Sequence, residues 1–126
     1  MILDIQFKNY RSFKDKCSFS MEASSTETKA NNVFVAPVSE NDKERLLKIA
    51  IIYGANASGK TNIIRLLYSL RSMISNMTAD QGGEGIYLYE PFALDENSKN
   101  EPTEISISFI VNDIKHLYEL TYNGEE

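Results

Sequence analysis

Apolar and polar residues alternate from the start of the chain. Leu3, Ile5 and Phe7 fall on one face and Asp4 and Gln6 on the other, the period of two expected of a strand with one buried side. Asn9 to Phe13 reads as a turn, after which Cys17, Phe19 and Met21 alternate with Ser18 and Ser20. This spacing predicts a β-hairpin over residues 1–21, with Cys17 as a small buried apolar side chain. Residues 22–32 carry no period and read as a loop. Val33-Phe34-Val35 predicts a short strand ended by Pro37, and residues 39–45 are polar again. Leu46 to Tyr53 is nearly continuous in apolar residues, the pattern of a strand buried on both faces in the middle of a sheet.

Residues 54–59 break that pattern. Beyond them Ile63, Leu67, Leu70, Ile74 and Met77 recur at intervals of three and four, which predicts one amphipathic helix from about Lys60 to Asn76. Gly82-Gly83-Glu84-Gly85 reads as a flexible loop. Tyr87 and Tyr89 flank Leu88 in a short alternating run that Pro91 ends. Ile105, Ile107, Phe109 and Val111 alternate with Ser106 and Ser108, Asn112-Asp113 is a two-residue turn, and His116, Tyr118, Leu120 and Tyr122 share one face of the returning strand. Asn123-Gly124 is another strong hairpin signal with only two residues after it, so the chain is expected to be the N-terminal part of a longer one.

Composition narrows the classes. The 126 residues fit one compact domain, and 42% apolar with 25% charged residues is ordinary for a globular protein. No apolar run approaches the roughly 20 residues that cross a bilayer, and the start lacks a secretory signal, so no membrane partner and a cytoplasmic location are expected. A single cysteine excludes an internal disulfide. The net charge of −5 comes without a cluster of Lys and Arg, which weighs against nucleic acid as a direct partner of this segment.

The chemistry concentrates in Gly54-Ala55-Asn56-Ala57-Ser58-Gly59-Lys60-Thr61, a G-x-x-x-x-G-K-[ST] sequence between a predicted strand and a predicted helix. A triphosphate presents several negative charges that must be met at close range. Glycines let backbone N–H groups approach its oxygens, and a following helix directs free N–H groups and the positive end of its dipole at them. In this arrangement Lys60 is the catalytic cation reaching the β- and γ-phosphates, and the Thr61 hydroxyl holds Mg²⁺. The backbone N–H of Asn62 meets the α-phosphate. The expected ligands are ATP and Mg²⁺.

Residues 52–62, Ile52-Tyr53-Gly54-Ala55-Asn56-Ala57-Ser58-Gly59-Lys60-Thr61-Asn62, resemble the Walker A segment of ABC-type ATPases related to RecF and the SMC proteins. Nearest are bacterial AAA-family ATP-binding proteins of the abortive-infection and overcoming-lysogenization-defect type. Phe7 to Phe13 is similar to their opening segment, with its N-[FY]-[KR]-S stretch, and Tyr89 to Asp95 followed by a hairpin is similar to their antiparallel β-subdomain. The resemblance implies an α/β P-loop NTPase lobe with a mixed sheet around one P-loop helix. It divides the chain into a hairpin (1–21), a strand, loop and helix (46–77) and an antiparallel β-subdomain (86–126). It adds Arg11 and Ser12 as nucleotide contacts, and implies a homodimer of heads pairing around two ATP molecules, with DNA or a nuclease as further partners.

Hydrolysis in that family also needs a Walker B strand ending in Asp-Glu. The only Asp-Glu pair here, Asp95-Glu96, follows Pro91 and a short apolar run and reads as a loop. Gln81-Gly82-Gly83-Glu84 lacks the serine of a signature segment, and His116 has no carboxylate at a telling spacing. The segment alone is therefore expected to bind ATP weakly and turn it over negligibly. Three functions compete: the ATP-binding part of an ABC/SMC-like ATPase in DNA repair or phage defence; a regulatory GTPase, disfavoured by the absence of N-K-x-D; and a non-hydrolytic, nucleotide-dependent interaction module.

Overall fold

The fold is described from a computed structural model, which covers residues 1–25, 29–38, 42–76 and 89–124. It is a mixed α/β structure with six strands and one α-helix among these residues: β1 (Ile2–Lys8), β2 (Cys17–Ser20), β3 (Val33–Pro37), β4 (Lys43–Leu47), α1 (Lys60–Asn76), β5 (Thr103–Val111) and β6 (Ile114–Tyr122). The strands form a four-stranded sheet in the order β2-β1-β5-β6 and a separate two-stranded sheet of β3 and β4. The chain divides into two compact units.

The first unit comprises residues 1–7, 16–51 and 105–120. β1 and β2 pair antiparallel in the register Asp4–Ser20 to Phe7–Cys17, the hairpin that the alternation predicts. Leu3, Ile5 and Phe7 are buried; Cys17 is only half-buried, and it is a free thiol. β5 and β6 meet through Asn112 and Asp113, both with φ near +55° (51° and 60°), the left-handed backbone that a two-residue hairpin turn requires and that Asn and Asp tolerate. His116 stacks on Phe109 across this pair, ring centroids 5.3 Å apart. Leu3, Ala36, Leu46 and Ile110 pack into one core cluster with Val38 against it. Met21 joins the β3–β4 pair to β1, its N–H donating to Leu3 O and its carbonyl accepting from Leu47 N, each at 2.7 Å.

Two expectations fail in this unit. β3 runs on to Pro37 and pairs antiparallel with β4, whose first three residues, Lys43 to Arg45, read as polar loop. More consequentially, the predicted central strand at residues 46–53 is absent as such: β4 stops at Leu47, and Ile49, Ile51 and Tyr53 are 74%, 82% and 91% exposed. The apolar run was sufficient for a doubly buried strand in composition, but such a strand needs neighbours on both edges. Lys48 N–H still donates to Asn32 O at 2.9 Å, but among the described residues no strand pairs with 49–53.

The second unit comprises residues 8–15, 52–104 and 121–126. α1 has the predicted limits; Leu66, Ser69 and Leu70 line its buried face, while Ile64 and Tyr68 are exposed. The predicted loop at 82–85, the run at 87–88 and Met77 lie outside the described residues. Asp95 and Glu96 lie in a turn as expected. The Asp95 carboxylate accepts from the Ser98 hydroxyl (2.8 Å) and pairs with Lys14 (3.1 Å), contacts that hold its pKa below the usual carboxylate range.

Tyr122 ends β6 as a buried residue whose hydroxyl makes no well-formed hydrogen bond among the described residues. Desolvation, with a further push from Tyr10, raises its pKa to about 12. In an unfolded chain a tyrosine ionises near pH 10. Stability held below that value is therefore lost as pH rises through 10 towards 12. Tyr122→Phe removes an unsatisfied hydroxyl and is expected to be neutral or stabilising at pH 7. Urea midpoints should also fall less between pH 9 and pH 12 in the variant than in the parent.

Candidate functional site

The site is built within the second unit, where residues 54–59 lead into the N-terminus of α1. Among residues 54–59 only Ala57 (φ 64°) and Gly59 (φ 88°) have positive φ. Alternating hand along the backbone turns successive N–H groups to one side, the geometry of an anion-binding concavity. Ser58 N–H donates to Ala55 O at 3.3 Å, closing the turn, and Asn62 N–H donates to Gly59 O at 2.9 Å, opening the helix. Gly54, Ala55, Asn56, Ala57 and Ser58 are all exposed, as is Thr61.

Lys60 folds back over this loop. Its ammonium donates to Gly54 O (2.8 Å) and Ala55 O (2.5 Å) and lies 3.5 Å from the Ser58 hydroxyl. The cation thus sits where the loop begins, six residues earlier in sequence, and its present acceptors are neutral carbonyls in contact with solvent. An anion entering the loop can exchange these for a charge-assisted contact.

A second wall comes from the turn at residues 9–13, which sequence reasoning attached to the site through Arg11 and Ser12. The structure brings Ser12 there and gives Arg11 a different partner. Ser12 Oγ accepts from the Asn62 side-chain amide at 2.9 Å. A Cβ at Gly59 would lie 2.6 Å from Ser12 Oγ and 2.8 Å from Phe13 Cζ, so the approach of this turn requires glycine for space as well as for φ. The Arg11 guanidinium instead pairs with the Glu90 carboxylate, Nη2 to Oε1 at 2.5 Å, while Arg11 N–H donates to Glu90 O at 2.8 Å. Burial opposes the charge on Arg11, and Glu90 more than offsets it, raising its pKa.

Three residues of this surround escaped the sequence reading: Asn9, Phe13 and Glu90. Asn9 is 1% exposed with φ 53°. Its amide donates to Ser98 O and Glu101 O, both at 2.8 Å, and its Oδ1 accepts from Phe92 N–H at 2.9 Å. The Thr103 hydroxyl donates to its carbonyl at 2.7 Å. An Asn opening a turn was legible; partners some ninety positions away were not.

The arrangement, a curled loop feeding a helix N-terminus with a lysine laid across it, fits a polyanion: residues 54–58 are exposed and an ammonium lies beside them. Gly54 to Asn62 could hold the phosphates, and Thr61 could hold a divalent cation bound with them. Among the described residues no cluster of His, Cys, Asp or Glu could hold a metal by itself, and no helix is long and apolar enough to cross a membrane.

Comparison with known families agrees with this class of site. Residues 49–126 match the family described as "AAA domain, putative AbiEii toxin, Type IV TA system". The chain belongs to this AAA-domain family, a family of nucleotide-binding, ATPase-type domains. Neither a curated protein nor a solved structure matches the chain.

Proposed function

We propose that the chain is the ATP-binding, Walker A portion of an ABC/SMC-like ATPase with a P-loop NTPase lobe, working with Mg²⁺ in phage defence. The observation that carries the reading is Lys60 reaching back to the start of the loop from the first turn of α1. Gly54 to Gly59 supply backbone donors to the phosphates, Lys60 neutralises charge on the β- and γ-phosphates, and Thr61 holds the metal ion, which would neutralise the same oxygens. Defence is favoured over DNA repair because the family's description names a toxin of a toxin–antitoxin system.

The geometry supports binding more than turnover. Asp95 and Glu96 are engaged by Ser98, Lys14 and Lys99, which supports reading this Asp-Glu pair as part of a loop and not as a Walker B end. A homodimer of heads, and DNA or a nuclease as partner, belong to the same proposal for a longer protein.

Displacement of a fluorescent ATP analogue from the purified chain tests the reading. Mg²⁺-ATP should displace it, with GTP needing at least about tenfold more, some 1.4 kcal/mol. GTP displacing as well as ATP would favour the regulatory GTPase, and no displacement by either would overturn the binding site itself.

A further inference from the structure

Glu90 holds the 9–13 turn by both its backbone and its side chain. Its carbonyl accepts from Arg11 N–H, and its carboxylate pairs with the Arg11 guanidinium. Arg11 itself has φ 51°, a left-handed backbone that is unfavourable for a non-glycine residue and persists only where surroundings over-determine it. The next residue, Ser12, is bonded to Asn62 in the first turn of α1, and Ser12 and Phe13 close on Gly59. A continuous chain of contacts therefore runs from Glu90 through Arg11 and Ser12 to Gly59 and Asn62. Among the described residues the buried Arg11 Nε has no acceptor, so the Glu90 carboxylate, with the Tyr10 ring 5.8 Å from the guanidinium, is its main compensation. Losing the carboxylate leaves a partly buried charge without its counter-ion, and the turn is the element free to relieve that.

We propose that Glu90 is a positioning residue of the anion site: by fixing Arg11 it holds Ser12 against Asn62 and Gly59, and so sets the approach of the loop to a bound triphosphate. The inference rests on the nucleotide-binding reading above. It makes Arg11 a strut engaged by Glu90, in place of a direct phosphate contact.

The test is a double-mutant cycle on Mg²⁺-ATP affinity in the whole chain, with Glu90→Gln, Arg11→Ala and the pair. Each single variant is expected to bind about tenfold more weakly, and the pair no more weakly than either alone. Glu90→Gln should also move the Asn62 side-chain amide resonance, whereas Glu90→Asp should restore most of the affinity. Affinity unchanged in Glu90→Gln, with binding lost in Lys60→Ala, overturns this proposal and leaves the binding reading standing. Binding unchanged in Lys60→Ala overturns the reading and the proposal with it. Fully additive single effects mean that Glu90 does not act through Arg11, which also overturns the proposal. Should Glu90→Gln fail to fold, Arg11→Lys takes its place: about tenfold weaker binding supports the strut, and parental affinity rejects it.

Discussion

Lys60→Ala is expected to lower the affinity for Mg²⁺-ATP by about 100-fold, near 3 kcal/mol, the upper range for charge-assisted hydrogen bonds. The ammonium now bonds to two neutral carbonyls, those of Gly54 and Ala55. Both are exposed, so water replaces the lysine when it is removed, and the folding free energy should change by less than about 0.5 kcal/mol, as for surface substitutions in general. Binding and folding thus separate in this variant. Calorimetric titration with ATP, beside a urea unfolding curve, reads both; a loss of stability equal to the loss of affinity would mean that Lys60 braces the loop without meeting the ligand.

The largest effect on stability is expected at Asn9. Replacement by alanine removes the acceptor of Phe92 N–H and the donor to Ser98 O and Glu101 O at a fully buried position. Phe92 N–H is left without its acceptor, at about 1–3 kcal/mol. Ser98 O and Glu101 O each lose one donor but keep Glu101 N–H (3.3 Å) and the Tyr89 hydroxyl (2.6 Å) respectively, a smaller loss of about 0.5 kcal/mol apiece. Alanine must also take up φ 53°, adding roughly 1 kcal/mol that asparagine tolerates better. Together these put Asn9→Ala about 3–4 kcal/mol below the parent, at the high end for a single substitution. Asn9→Asp, which keeps the shape but turns a donor into an acceptor facing the carbonyls of Ser98, Glu101 and Pro102, should be at least as damaging. Urea midpoints should drop in both with little change in slope. A shift under about 1 kcal/mol would show that the amide finds its equivalent in water.

These two positions also show what the sequence could reveal. β1, β2, α1, β5 and β6 follow local patterns: a period of two, a period of three and four, and a turn at Asn112-Asp113 whose residues accept positive φ. The β3–β4 pair was hidden because Lys43, Glu44 and Arg45 are poor strand formers held there by pairing with Val35, Ala36 and Pro37. Residues 48–53 misled in the other direction. Their apolar character is real, but a strand is defined by its neighbours, and hydrophobicity alone supplies none. At the site, Gly54 to Thr61 was legible because its chemistry lies in consecutive residues. Asn9 and Glu90 act across 79 or more positions, and no local period encodes such a partner.

Nucleotide binding by this chain requires a polyanion seated in the loop at residues 54–62. Titrating Mg²⁺-ATP while following backbone amide resonances tests it most directly. Saturable shifts concentrated at Gly54 to Asn62, absent in Lys60→Ala, are expected; amides that stay still there while others move would contradict it.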